Sequence, residues 1–276
     1  KQNVRQVRGS HIVVKTLFDH GKSYIFQNSD GRIMFAIPYE DDFTLIGTTD
    51  IDHGNNLNEI KISDKEADYI CQYASEYFEK PITADDIVWS YSGVRPLYDD
   101  GASEAQEATR DYVIETETGE QSLLINIFGG KITTYRKLSE SIVEKVEAFL
   151  GKRKNAWTHQ APLPGGDLGY KNIYHFTHAM QAEFPFLEQK YIERLARLYG
   201  TNIKIILHKV TCIEDLGQDF GSGLYQREVE YLIAHEWATT AEDILFRRTK
   251  IGLIMPAKNV AKLEKFLRLN RVKLVK

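Results

Sequence analysis

The sequence predicts an α+β fold, and three observations carry that reading. Short runs of β-branched and aromatic residues fill the first half, interrupted by two stretches with helical spacing, at 63–80 and from about Thr134 to Leu150. Tight polar turns join several of these runs, which favours antiparallel pairing over crossover connections. After residue 170 helical spacing dominates. The expected organisation is a mostly antiparallel sheet with inserted helices in residues 1–154, then an all-helical domain in residues 155–276.

Taken in order, His11 to Val14 opens a strand. Ser23–Gln27 and Arg32–Tyr39 follow, with Asn28-Ser29-Asp30-Gly31 as the turn between them. Glu40-Asp41-Asp42 turns the chain into Phe43–Thr49, completing a meander. Ser63 with Glu66 forms a capping box at the head of a helix. Ala67, Ile70, Cys71, Ala74, Tyr77 and Phe78 lie on its one apolar face, and Pro81 marks its stop. Cys71 is therefore expected in the core. Asp86–Leu97, Asp111–Thr116 and Gln121–Phe128 read as strands, the last running into Gly129-Gly130. The helix after it puts Leu138, Ile142, Val146 and Phe149 on one side. Pro162, Pro164 and four glycines make 151–170 the linker candidate. Helices are expected near 171–184, 188–199, 224–236, 240–249 and 256–270, with Thr239 and Glu242 as a second capping box.

Composition narrows the function classes. Of 276 residues, 42% are hydrophobic and 27% charged, which suits an ordinary globular core and argues against disorder. Lys plus Arg number 35 against 39 Asp plus Glu, and the net charge of −4 weighs against a nucleic-acid binder. Two cysteines, Cys71 and Cys212, make neither a disulfide framework nor a four-thiolate site. HExxH, paired Cys/His spacing and GxSxG are absent, so metal hydrolysis and acyl-enzyme chemistry are disfavoured and no metal is expected. No apolar run approaches the roughly 18 residues of a membrane span. The start, Lys1 to Arg5, has no apolar signal region and no initiator Met, so a cytoplasmic chain beginning inside a domain is expected.

Four segments could carry chemistry. Phe128-Gly129-Gly130-Lys131-Ile132-Thr133-Thr134 leads a strand into a helix, a joint that presents free N–H groups and a positive dipole end. With Lys131 as a point charge it suits a phosphate or the electron-rich edge of a flavin, although the spacing is not a P-loop. A plain strand-to-helix turn is an equal alternative. Arg95 lies in the apolar run Trp89–Leu97, and Arg110 in Thr109-Arg110-Asp111-Tyr112. If those strands pair through the acidic loop 99–107, both guanidiniums reach one pocket and suit a phosphate monoester. Structural pairing with Asp99, Asp100 or Asp111 is the favoured reading on the residues alone. His11 heads an apolar strand and is either a proton acceptor near neutral pH or, more commonly at such a place, a structural residue. Ile46-Gly47-Thr48-Thr49-Asp50 ends a strand and on its own reads as a polar turn.

Together and in this order, these segments resemble one family, the aerobic, FAD-dependent sn-glycerol-3-phosphate dehydrogenases of bacteria. Gly9-Ser10-His11-Ile12-Val13-Val14, Gly47-Thr48-Thr49-Asp50, the run from Asp86 to Leu97, Thr109 to Tyr112 and Phe128 to Lys137 carry the likeness. Leu163-Pro164-Gly165-Gly166 and the run from Glu242 to Lys250 extend it over nearly the whole chain. The departure is the absence of GxGxxG, the turn that takes the FAD pyrophosphate. The resemblance thus implies the C-terminal part of a flavoprotein domain, followed by the family's helical domain.

It also implies a reaction, the oxidation of glycerol 3-phosphate to dihydroxyacetone phosphate by hydride transfer to FAD. His11, Arg95 and Lys131 become the catalytic candidates. Arg95, Arg110, Lys131, Thr48 and Asp50 become substrate contacts, and Gly129, Gly130, Lys131, Ile132 and Thr133 flavin contacts. The implied electron acceptor is quinone, or oxygen in a related oxidase branch. A homodimer and peripheral attachment to the inner face of the cell membrane are the candidate associations. Residues 257–276 hold seven basic residues against one acid, beside Val260, Leu263, Leu267 and Leu274. A basic amphipathic helix of this kind can lie on anionic lipid, although packing on its own domain is the favoured reading of the residues. Two alternatives stand beside the enzyme: a non-catalytic assembly or regulatory module, and an amine- or amino-acid-oxidising relative, for which one guanidinium would suffice.

Overall fold

The computed structural model describes residues 4–54, 56–101, 108–152 and 154–274, with side chains to residue 270. They form two compact units, Lys1–His159 and Gln160–Lys276.

The first unit is built on one long strand. β1 (Val4–Lys15) alternates its side chains between two faces and is buried over most of its second half. Along one edge it pairs with β4 (Phe43–Gly47) and then β5 (Ile51–Asp52); along the other it pairs with β6 (Ile87–Tyr98). β2 (Tyr24–Gln27) and β3 (Ile33–Tyr39) continue the sheet beyond β4, and these pairings are all antiparallel. The expected meander is present, extended by β1 and β6 into a six-stranded sheet.

One face of that sheet is closed by α1 (Asp64–Ser75). Ile12, Val14, Met34 and Ile46 from the strands meet Ile70, Cys71 and Ala74 from the helix. Ser63 and Glu66 form the expected capping box. The helix is shorter than its apolar spacing predicts. Ser75 Oγ donates to the Cys71 carbonyl (2.6 Å) and accepts from the Ile82 N–H (2.8 Å), which ties the returning chain across the last turn.

β7 (Tyr112–Thr118) and β8 (Leu123–Gly129) form a separate antiparallel hairpin. It leads into a short 3₁₀ turn and α2 (Tyr135–Leu150), which packs on β8 with its apolar stripe half-buried. β6 pairs with β1 over nearly its whole length, so the expected pairing of the Arg95 and Arg110 strands does not occur. Residues 102–107 of the acidic loop lie outside the described residues.

The second unit is helical around one core. α3 (Ile173–Glu183), α4 (Gln189–Tyr199), α5 (Ile203–Ile206), α6 (Gln226–Glu236) and α7 (Ala257–Leu274) surround Phe176, Ile192, Leu195, Phe220 and Leu232. Two features depart from expectation. A small antiparallel ladder, β9 (Asp219–Gly221) and β10 (Leu224–Tyr225), interrupts the helices; at three and two residues its strands are too short to show alternation. The segment expected as a helix at 240–249 is a π-helical turn, Asp243–Arg248. Its box is Thr240 with Asp243, whose carboxylate accepts from the Thr239 and Thr240 N–H groups (3.0 and 2.9 Å), while Glu242 pairs with Arg247.

The apolar side of α7 is used internally. Leu263 is fully buried, and Val260, Phe266 and Leu267 pack against the same core, which leaves Lys258, Lys262, Lys265 and Arg268 exposed. Among the described residues no helix is long and apolar enough to cross a membrane.

A buried ion pair joins α4 to α6. Arg194 donates to both Glu228 carboxylate oxygens (2.7 and 2.6 Å), and Tyr199 Oη donates to the same carboxylate (2.7 Å). Removing one member would leave a charge without its counterion in the core. Arg194→Ala is therefore expected to lower unfolding free energy by about 3 kcal/mol or more. Urea denaturation checks this; a loss below about 1 kcal/mol, the scale of an exposed pair, would count against it.

Candidate functional site

The face of the sheet opposite α1 carries the charged residues. Strand register decides this: Val7 faces Arg95, Gly9 faces Gly93 and His11 faces Tyr91 across β1 and β6, while Gly47 of β4 stands on the other side of His11. Residues directly opposite in an antiparallel pair share a face, as do residues two apart on a strand. His11, Tyr91 and Arg95 therefore project together, over Gly9, Gly47 and Gly93.

The glycines make room for this arrangement. A Cβ at Gly9 would overlap the Arg95 guanidinium, and a Cβ at Gly47 would overlap the His11 ring. At Gly93 a Cβ would meet nothing within 4 Å. Arg95 thus folds back over Gly9, one pleat from His11, a step of roughly 7 Å along the strand.

Asp50 joins the cations. Its carboxylate accepts from Arg95 Nη1 at 2.8 Å on one oxygen and from Arg110 Nη2 at 2.9 Å on the other. Arg95 Nη2 also reaches Thr48 Oγ1 at 3.4 Å. Both guanidiniums have a structural carboxylate partner, the favoured reading of the residues, but it is the shared Asp50 and not one of the aspartates close in sequence. Among the described residues, two cations on one anion leave a net positive charge and several unused donors, which suits an incoming anion. Asp50 is placed as the acceptor that holds both arginines.

His11 is stacked on Tyr91, with centroids 5.0 Å apart and planes 9° from parallel. Its Nδ1 is buried and has no hydrogen-bond partner among the described residues. Burial, and then the nearby Arg95 charge, lower the imidazole to about 4, against a smaller opposing effect of Asp50. The ring is neutral at pH 7.

The glycine joint lies against the same elements. Gly129 and Gly130 hold φ of +66° and +92°. A Cβ at Gly129 would come within 3.1 Å of both the Asp111 carbonyl and the Tyr98 nitrogen, so the turn packs on the end of β6 and on the neighbour of Arg110. Lys131, Ile132 and Thr133 are exposed beyond it, and neither Lys131 nor Thr134 caps the helix start with its side chain. The helix start therefore has no side-chain cap of its own, while the Thr134 N–H is taken by the Lys131 carbonyl. The structure therefore gathers His11, Thr48, Asp50, Arg95 and Arg110 into one cluster. Lys131, Ile132 and Thr133 connect to it through the Gly129 turn.

Comparison with known proteins gives the family of the chain. Residues 1–136 match the FAD dependent oxidoreductase family, and residues 156–274 match the C-terminal domain of alpha-glycerophosphate oxidase. A glycerol-3-phosphate dehydrogenase of Pseudomonas aeruginosa is 42% identical over 96% of this chain and 52% of its own. The aerobic glycerol-3-phosphate dehydrogenase of Escherichia coli is 40% identical over 96% and 53%, respectively. The chain belongs to the FAD-dependent glycerol-3-phosphate dehydrogenase family. A D-erythritol 1-phosphate dehydrogenase of Brucella abortus is also 40% identical, over 90% of the chain and 50% of the relative. The glycerol-3-phosphate dehydrogenase of Bacillus halodurans, solved with FAD, superposes with a TM-score of 0.73 at 28% identity, over 97% of this chain and 52% of that one. The chain spans about half the length of the curated relatives it matches. FAD is the cofactor of the family.

Sequence reasoning missed Tyr91 and the wider part played by Glu66. Tyr91 sits between Ser90 and Ser92 on β6, so strict alternation placed it on one face; only the β1 register shows that this face is that of His11. Glu66 was legible as a helix cap, but its contacts with Ser10 and Thr49 were not.

A lowered histidine pKa has a defined sign. The unfolded chain takes up the His11 proton near 6.5 and the folded chain only near 4, so stability from this group is lost as pH falls through that window. The His11 ring signals in an NMR titration are expected to move with a midpoint near 4, and His11→Gln should flatten the stability slope between pH 4 and 6.5. A midpoint at or above 6 would contradict the buried setting.

Proposed function

We propose that this chain supplies the substrate-side face of a flavoenzyme that oxidises sn-glycerol 3-phosphate to dihydroxyacetone phosphate. The observation that carries the proposal is the Asp50-bridged pair of arginines one pleat from a neutral, stacked histidine. A phosphate and a carbinol two bonds of carbon away need an anion site and a base at about that spacing.

The residues fit a flavin at the glycine joint. The turn has two glycines at positive φ, an uncapped helix start and exposed Lys131, Ile132 and Thr133. Gly129, Gly130, Ile132 and Thr133 would hold the ring edge through backbone groups, with Lys131 adding charge. FAD, when bound, supplies the two-electron acceptor.

The chain's own residues do the rest. Arg95 and Arg110 take the phosphate with donors left free by Asp50, and Thr48 lines the same corner. Burial is the larger cause of the low His11 pKa; the phosphate would offset the second, the Arg95 charge, so substrate binding strengthens the base in part. The C2 hydroxyl proton passes to an imidazole nitrogen of His11 as the hydride leaves C2. Arg95 and Lys131 are cations placed to favour the oxygen charge that develops. Quinone is the proposed onward acceptor, with oxygen as the alternative that the match of residues 156–274 to an oxidase domain keeps open; homodimerisation and charge-only contact of the exposed face of α7 with anionic lipid belong to the same proposal. The Brucella relative favours a second reading with a longer polyol phosphate, for which the open space at Gly93 leaves room.

The test uses the FAD-loaded protein that contains this chain. Arg110→Ala is expected to raise KM for glycerol 3-phosphate at least tenfold, a loss of about 1.4 kcal/mol, with a smaller change in kcat. Steady-state kinetics with glycerol 3-phosphate and D-erythritol 1-phosphate in parallel decide between the two polyols. Unchanged kinetics with both would remove Arg110 from the site.

A further inference from the structure

Glu66 lies behind the sheet, on the face away from His11 and Arg95, and its side chain is fully buried. A helix cap needs only its contact with Ser63, yet the carboxylate does more. It accepts from Ser63 N–H (3.0 Å) and Oγ (2.7 Å), from Ser10 Oγ (2.7 Å), from Thr49 Oγ1 (2.8 Å) and from the Arg8 guanidinium (2.6 Å). Burial by itself would push its pKa up; the hydrogen bonds from Ser63, Ser10 and Thr49 outweigh burial and bring it down to about 2. The group is a buried anion with its acceptor capacity in use.

Thr49 is held from both sides. It donates to Glu66 and accepts from the Ser10 N–H at 3.0 Å. Its neighbour Asp50 points the other way, to Arg95 and Arg110. The two residues form one short path through the sheet, from a carboxylate behind it to a carboxylate in front.

We propose that Glu66 and Thr49 are positioning residues for the anion site: Glu66 holds Thr49, Thr49 sets the backbone at Asp50, and Asp50 sets the two guanidiniums. The inference rests on the reading that Arg95 and Arg110 take the substrate phosphate. It explains why a Thr with both hydrogen-bonding roles in use precedes Asp50, and why a helix cap is buried under the sheet. Without the Thr49 hydroxyl, the loop carrying Asp50 would sample orientations that pair with only one arginine. Small misplacements of binding groups carry large losses.

Thr49→Val keeps the side-chain shape and removes the hydroxyl, whereas Thr49→Ser keeps the hydroxyl. In the FAD-loaded protein, calorimetry with sn-glycerol 3-phosphate and with inorganic phosphate should show at least tenfold weaker binding for Thr49→Val. Thr49→Ser should bind within about twofold of the unsubstituted protein. A ligand-free reading runs alongside: NMR should find rotation of the Arg95 guanidinium about its Nε–Cζ bond slow in the unsubstituted protein and in Thr49→Ser, and fast in Thr49→Val. Equal phosphate binding by Thr49→Val, or equal guanidinium rotation, would overturn the inference. If the unsubstituted protein bound neither phosphate nor glycerol 3-phosphate, the functional reading would fail, and guanidinium rotation would still decide whether Thr49 sets the pair.

Discussion

The shared carboxylate of Asp50 is the interaction on which the site depends. Two guanidiniums repel one another, and Arg95 on β6 and Arg110 in the segment before β7 belong to strands that do not pair. An anion between them, at 2.8 and 2.9 Å, turns that repulsion into a joint donor surface with a net positive charge. The geometry of β1 then follows as a set of constraints. Gly9 must lack a side chain for Arg95 to fold back, Gly47 must lack one for the His11 ring, and Gly93 leaves the space between them open.

Electrostatics links the two halves of the cluster. Arg95 helps keep His11 neutral, and an anion on Arg95 relaxes that effect. In the proposed reading, a phosphate monoester on Arg95 would raise the basicity of His11 from its low value near 4. Tyr91 contributes by fixing the ring plane, since a parallel stack at 5.0 Å resists rotation of the imidazole.

Much of this was legible in the sequence, and the reasons for the rest are physical. The α1 cap, the meander and the helical second half follow from local spacing, which one sequence displays. The π-helical turn at Asp243–Arg248 and the two-to-three-residue strands at 219–225 do not, because both are too short to leave a period. At the site, His11, Arg95 and Arg110 stood out by residue type in apolar strands. Their meeting through Asp50 depends on the register of β1 against β4, β5 and β6, a long-range pairing that local pattern does not encode. Glu66 is the clearest case: its capping pattern was visible, and its buried contacts from Ser10 and Thr49 exist only once the helix lies across the sheet.

A double-mutant cycle on phosphate-monoester affinity tests the central claim most directly. Asp50→Asn, Arg110→Gln and the double variant would be titrated with sn-glycerol 3-phosphate in the FAD-loaded protein. The shared-carboxylate account predicts that the two losses are not additive, with a coupling of about 1 kcal/mol or more. Losses that simply add would show that Asp50 and Arg110 act independently, and the account of the site would be wrong.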